Sequence, residues 1–234
     1  MKRISVCFAA WALITGASVA WADSGGRGFA VDFAECTEFA GAGPVDLARA
    51  SALAPSAFTT LAVGATGAIV VRATACAGVA VNGGRSIPTN ISQIGVEIVP
   101  PDGTGDINNY TLIYVSNNAE LVAALNRAGV PAAYDRSLTY QFTYDVTGSA
   151  GELYVEAEGV GLPPYFLTGT ETDPTGAGSN FPDIAFGTAS ISLHTDRDSA
   201  LGQLIGGNSD ADYHFLPVRG VYASAHMQVT LSER

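Results

Sequence analysis

The chain has 234 residues, 47 % of them hydrophobic and only 14 % charged, with 22 acidic against 11 basic side chains and a formal net charge of −11. That balance argues against nucleic acid and anionic membrane surfaces as partners, because both are gripped by clustered Lys and Arg. Acidity of this size serves solubility and names no substrate.

Residues 1–22 open with Lys2 and Arg3, continue through an apolar run from Ile4 to Ala20, and end in the small-x-small sequence Ala20-Trp21-Ala22. This pattern predicts a signal peptide, cleavage before Asp23, and a soluble exported product, periplasmic or secreted. An uncleaved anchor is the competing reading. However, Ser5, Thr15, Gly16 and Ser18 interrupt the run, and it falls short of the roughly 20 residues a membrane span needs. No later apolar run is long enough to insert. Cleavage leaves 9 basic against 22 acidic residues, a net charge of 9 − 22 = −13. No Pro, Ser or charge-rich linker divides residues 23–234, so a single domain is expected.

Cys7 leaves with the leader, and the oxidising compartment favours joining Cys36 to Cys76. A free pair with one nucleophilic thiol is the alternative, although no histidine lies near either cysteine in sequence.

In chain order, a short helical turn is expected over Val45–Leu53, then strands over Ala57–Val63 and Ala68–Val81 joined by the hairpin signal Gly64-Ala65-Thr66-Gly67. Ile91–Val99 alternates, with Gln93 and Glu97 on one face and Ser92, Ile94, Val96 and Ile98 on the other. The stretch Asn109–Ala133 couples a strand to a helix over Ala119–Ala128. Asn118 is placed to cap that helix, Glu120 and Arg127 complement its dipole, Gly129 ends it, and Leu121, Val122 and Leu125 form its apolar stripe. Further strands are expected at Leu138–Val146, Glu152–Glu158, Tyr165–Glu171, Asp183–His194 and Gly220–Ser232, with a weaker helix at Ser199–Ile205. A chain that is mainly β with few helices closes into a barrel or packs as a sandwich.

Three segments in order resemble the acetoacetate decarboxylase superfamily: Leu47 to Pro55 followed by Ser56-Ala57-Phe58, then Asn90-Ile91-Ser92-Gln93-Ile94, then the strand and helix closing on Gly129-Val130-Pro131-Ala132. The resemblance covers about Ala48 to Tyr144 and implies a large closed β-barrel with an enclosed pocket. In that family the last segment reads Gly-x-Pro-Lys, and its lysine forms a Schiff base with a ketone. Here Ala132 follows the proline, and Lys2 is the one lysine in the chain. A Schiff base requires a primary amine, so the resemblance implies the fold without its best-known chemistry. Gln93 stands where the family often has a glutamate.

Other reactive sets are sparse. Asp102, Thr104, Asp106 and Asn108 place oxygen donors at every second residue, as a calcium loop does, but a Gly- and Asp-rich hairpin explains them without an ion. His194, His214 and His226 lack the close pairing of a zinc site. There is no Gly-x-Ser-x-Gly elbow, phosphate loop or dinucleotide fingerprint. No metal and no cofactor is called for.

The candidate site residues are therefore Glu97 and His214 for acid–base catalysis, and Gln93, Tyr110, Tyr114 and Arg72 for binding. Gln93 with Glu97, and Tyr110 with Tyr114, are each spaced by four and would share a barrel interior. Glu97 would there be a desolvated acid or base of the sort hydration, dehydration or isomerisation requires. The alternative puts Glu97 in water, with Ile94, Val96 and Ile98 facing the core. His214 follows Asp212 and precedes Arg219, and Arg72 lies in an otherwise apolar strand. These readings predict a binder of a small apolar carbonyl or carboxylate compound, which transforms it without a Schiff base, carries it inertly, or is a structural domain. Oligomeric state is left open.

Overall fold

A computed structural model describes residues 29–99, 108–144, 150–158, 165–172, 183–185, 188–195, 198, 200–204 and 216–229. Two antiparallel-rich sheets carry the fold. The larger contains β1 (Phe29–Asp46), β2 (Thr66–Val81), β3 (Ile87–Ile98), β4 (Asn108–Ser116), β5 (Ala133–Tyr134), β9 (Asp183–Ala185) and β11 (Leu216–Val229), in the order β5-β4-β3-β2-β1-β11-β9. The smaller contains β6 (Thr139–Tyr144), β7 (Ala150–Ala157), β8 (Tyr165–Thr172) and β10 (Thr188–Thr195), in the order β10-β8-β7-β6. Helices α1 (Leu47–Leu53), α2 (Ala119–Arg127) and α3 (Ala200–Leu204) complete the described elements. None is long and apolar enough to cross a membrane.

The expected closed barrel is not formed by these strands. The larger sheet ends in a two-residue strand and a three-residue strand, and the described strands make no ladder from one sheet to the other. The sheets meet instead through side chains. Phe39, Ile69, Val71, Ala73, Ile94, Val96, Ile113 and Val115 of the larger sheet pack on Leu153, Val155, Ala157, Tyr165 and Leu167 of the smaller. Tyr165 is fully buried in this layer, and its Oη donates to Ser92 Oγ at 2.8 Å, a polar bond within an apolar interface.

The opposite face of the larger sheet is covered by α2. The helix forms as its sequence dictates: Asn118 Oδ1 accepts from the backbone N–H groups of Glu120 and Leu121 at 3.1 and 3.2 Å. Leu121, Val122, Ala124 and Leu125 are its buried residues. Gly129 adopts φ 82, the left-handed conformation that ends a helix. The chain then enters β5 parallel to β4, with Val115 opposite Ala133. Leu121, Ala124 and Leu125 pack on Phe29, Val31, Cys36, Cys76, Val79, Val81, Ile91 and Tyr114.

Three expectations are corrected. The long strand β1 was not anticipated, because its apolar alternation changes phase. Phe29 and Val31 face α2, and so does Cys36, after the reversal at Glu35, whose φ is 50. No strand forms over Ala57–Val63. The turn closes tightly between Val63 and Thr66 around Gly64 (φ 65), while the preceding residues meet β3 through an isolated bridge at Thr60, opposite Ile98. Leu61 N also donates to Glu97 O of β3, yet the segment offers no buried alternating face, since Leu61 and Val63 are 37 % and 78 % exposed. The helical turn begins at Leu47 rather than Val45, where Asp46 caps it by accepting from Arg49 N at 3.0 Å. The expected leader and the Asp102–Asp106 loop lie outside the described residues.

Cys36 and Cys76 stand directly opposite on β1 and β2 and form the expected disulfide. It closes a loop of 40 residues, which on the chain-entropy account stabilises the fold by about 3–4 kcal/mol. Replacing both cysteines by alanine should lower the unfolding free energy by about that amount, read from denaturant midpoints at constant slope. A loss below about 1 kcal/mol would show that the unfolded chain gains little freedom when the bridge is removed.

Candidate functional site

The site is set by an irregularity between β3 and β4. Ile94 pairs with Ile113, but Gly95 pairs with Thr111, so Leu112 is an extra residue on β4. This is a β-bulge. Gly95 suits it for a spatial reason: a Cβ there would run into the Asn109 side-chain amide and the Tyr110 carbonyl.

The bulge changes which side chains share a face. Tyr110 turns toward the core between the sheets, where its ring lies 5.6 Å from that of Phe58. Tyr114 turns the other way and is buried against α2. The expectation that these two tyrosines share one face is therefore overturned, because an inserted residue shifts the alternation by one. The expectation of an interior position for Gln93 and Glu97 fails as well. Ser92, Ile94, Val96 and Ile98 face the core, so Gln93 and Glu97 project from the opposite side. Both are half-buried rather than bathed in water.

On that outer face the register brings Arg72, Gln93 and Tyr114 into one row across β2, β3 and β4. Three of the sequence-predicted residues thus become cross-strand neighbours. Glu97 belongs to a second row, with Asn109 on β4 at one side. At the other side, the segment around Thr60 replaces β2: Leu61 N donates to Glu97 O at 3.0 Å and Val99 N donates to Thr59 O at 2.7 Å. Leu61 therefore stands opposite Glu97, an aliphatic side chain on one flank and an amide on the other.

The two rows are joined through the space over Gly95. Gln93 Nε2 donates to Thr111 Oγ1 at 2.6 Å, and Asn109 Nδ2 donates to the same oxygen at 3.4 Å. Arg72 is engaged from β1: its Nη1 lies 3.4 Å from Glu38 Oε1, while Thr74 Oγ1 donates to Glu38 Oε2 at 3.0 Å. Among the described residues, no hydrogen bond or ion pair reaches the Glu97 carboxylate. Burial pushes that carboxyl above the usual glutamate range. A carboxyl that holds its proton more tightly, beside an amide chain and an aliphatic flank, can exchange a proton with a bound molecule.

Two other polar residues inside the molecule are structural. Burial pushes the Asp135 carboxyl up, but bonds from Ser137 Oγ (2.6 Å), Glu158 N and Ser137 N (both 2.8 Å) outweigh it and hold the group below the usual aspartate range. Burial pushes the Tyr165 phenol far up, which keeps it a neutral donor to Ser92. His214 lies outside the described residues, as do the side chains of His194 and His226. Among the described residues, no group of three or more His, Cys, Asp and Glu side chains is placed to hold a metal ion. Sequence reasoning missed Glu38, Leu61, Asn109 and Thr111. An arginine in an otherwise apolar strand calls for an anionic partner, but nothing in the sequence says which strand supplies it.

No family model and no curated protein matches the chain. Solved structures do. An acetoacetate decarboxylase from Legionella pneumophila superposes with a TM-score of 0.53 at 11 % identity, over 84 % of this chain and 86 % of that one. An acetoacetate decarboxylase-like enzyme from Sphingomonas wittichii RW1 gives 0.55 at 13 % identity, over 87 % and 91 %. The chain has an acetoacetate decarboxylase-like fold. The enduracididine biosynthesis enzyme MppR, complexed with pyruvate, is similar to the same degree, with a TM-score of 0.54 at 10 % identity over 88 % and 90 %. At these identities the likeness is one of fold. In this chain, the residue after Pro131 is Ala132, tied to α2 by Ala132 N donating to Asn126 Oδ1 at 3.0 Å and by Asn126 Nδ2 donating to Ala132 O at 2.8 Å.

Gly95→Ala should cost about 1–3 kcal/mol, because the methyl group displaces β4 backbone that has nowhere to retreat. It should also move the Asn109 side-chain amide resonance. An alanine variant with unchanged stability and an unmoved amide would show that β4 does not press on Gly95.

Proposed function

We propose that this chain binds a small, largely apolar carbonyl or carboxylate compound on the face bearing Glu97, and transforms it by proton transfer rather than through a Schiff base. The observation that carries the proposal is the half-buried Glu97 carboxyl, raised in proton affinity, set between Leu61 and Asn109 with no partner among the described residues. Glu97 would act as the acid or base. As base it takes a proton from the carbon beside the carbonyl; returned to a different carbon, that proton gives isomerisation. Hydration and dehydration use the same exchange. Asn109 and Gln93, linked through Thr111, are proposed to hold the carbonyl end, with Leu61 beside the apolar end. Tyr114 and Arg72 are proposed to complete the neighbouring row, and His214 is proposed on sequence grounds as a second proton carrier.

Several features support the absence of Schiff-base chemistry and the exported setting. Lys2 is the only lysine in the sequence, and we read it as part of a leader removed before Asp23, leaving a single domain over residues 23–234. The Cys36–Cys76 bridge suits an oxidising compartment. MppR is a fold relative complexed with pyruvate, which supports a small oxo compound as the ligand class. A second reading, an inert carrier, is favoured by the apolar surface next to Glu97, where Leu61, Val63 and Val99 are all exposed.

Glu97→Gln separates these readings. For an enzyme, turnover should fall by at least about 100-fold while ligand affinity changes little; for a carrier there is no turnover to lose. Retained turnover in the variant would remove Glu97 from the chemistry. The same substitution carries a pH signature. The folded state holds the Glu97 proton more tightly than the unfolded chain, so the native protein loses stability as pH rises from the ordinary glutamate range through the raised folded value. Glutamine should therefore raise the melting temperature at neutral pH, and the gain should vanish as pH falls below the ordinary glutamate range.

A further inference from the structure

Accepting Glu97 as the centre of a ligand site, we infer that the site selects neutral carbonyl compounds and discriminates against carboxylates, because the cation on its face is already neutralised by Glu38. The inference deepens the functional reading above and rests on it. Its basis is the charge inventory of one sheet face.

Strands β1 to β4 carry a single basic residue among them, Arg72. In a pocket that recognises a carboxylate, a guanidinium of this sort presents its forked donors to the ligand. Here the guanidinium lies 3.4 Å from Glu38 Oε1, and the other oxygen of Glu38 is fixed by Thr74 Oγ1 at 3.0 Å. Glu38 is thus held from two sides on the neighbouring strand, in register with Thr74, so the pairing is part of the sheet and not an accident of a loose side chain. Arg72 and Glu38 cancel. What remains on this face of β2, β3 and β4 is Glu97, which is negative or neutral and never positive.

An arriving carboxylate would therefore meet no uncompensated positive charge on strands β1 to β4, and it would be repelled by Glu97 whenever that group is ionised. The donors that remain are amides. Asn109 Nδ2 and Gln93 Nε2 converge on Thr111 Oγ1, and amide and hydroxyl groups solvate a neutral carbonyl oxygen well and an unpaired carboxylate poorly. Leu61 on the flank favours an alkyl group next to that carbonyl. The ligand class is a small ketone, aldehyde or ester with an apolar end.

The test uses one ketone with and without a charge: methyl levulinate, a neutral keto ester, and levulinate, its carboxylate. Binding to the full chain is followed at pH 7 through the side-chain amide resonances of Gln93 and Asn109. The ester should move both resonances, and levulinate should need roughly tenfold more compound to do the same. Glu38→Gln adds one unit of positive charge to the face, and the levulinate-to-ester affinity ratio should rise roughly tenfold. Glu38→Ala gives the same switch by truncation if the glutamine variant does not fold. Equal or tighter binding of levulinate by the native protein would overturn the inference, and so would a ratio unmoved in both variants. If neither compound moves the two amides in any of the three proteins, the Glu97 face is not a ligand site, and the functional reading falls together with the inference.

Discussion

The backbone of β4 occupies the space where a side chain at residue 95 would project, and the outer face of the larger sheet is organised around that contact. The extra residue in β4 shifts the alternation by one, sending Tyr110 into the core and leaving Asn109 and Thr111 on the outside. Without the bulge, those two side chains would exchange faces with their neighbours. A buried apolar layer would then receive an amide and a hydroxyl, each costing about 1–3 kcal/mol unless repaired. The glycine, the bulge and the polar row form one unit, since each requires the others.

The surroundings keep that unit rigid. Helix α2 is fastened to the sheet by buried polar bonds: Asn118 Nδ2 donates to Thr89 Oγ1 at 3.0 Å, Asn118 N to Ser116 Oγ at 3.1 Å, and Ser116 Oγ to Asn90 O at 2.9 Å. Asn90 in turn donates through Nδ2 to Leu138 O at 3.1 Å, tying β3 to the start of the smaller sheet. The Tyr165 to Ser92 bond fixes the opposite side of β3, and the disulfide joins β1 to β2. Strand β3 is therefore held on both faces along the segment from Thr89 to Ser92, while Glu97 lies further along it, at the end where β2 gives way to the segment containing Leu61. A functional group near the edge of a rigid strand combines fixed geometry with access for a small molecule.

Much of this was legible in the residues, and the failures have physical causes. The helix of Ala119–Arg127 could be read because its signals are local: cap, dipole charges, apolar stripe and terminal glycine all lie within twelve residues. The alternation in β3 correctly separated Gln93 and Glu97 from Ile94, Val96 and Ile98. Which of those faces met the core could not be read, since both neighbouring strands and a helix had to be placed first. The tyrosine pair was misread because a bulge leaves no mark in one strand alone; the glycine that permits it is on β3, whereas the extra residue is on β4. β1 was overlooked because the reversal at Glu35 breaks its pattern halfway. The acetoacetate decarboxylase resemblance captured the fold, but its closed barrel gave way to two packed sheets. The Arg72–Glu38 pair joins residues 34 positions apart and depends on register alone.

Whether Glu97 is a desolvated carboxyl on the outer face is tested most directly by its own titration. Following the Glu97 side-chain carbonyl carbon by NMR across pH should give a midpoint above the ordinary glutamate range, with the Asn109 and Gln93 side-chain amides responding in step. A midpoint at or below the ordinary value, with both amides unmoved, would mean that Glu97 is fully solvated and that the polar row has no chemical centre.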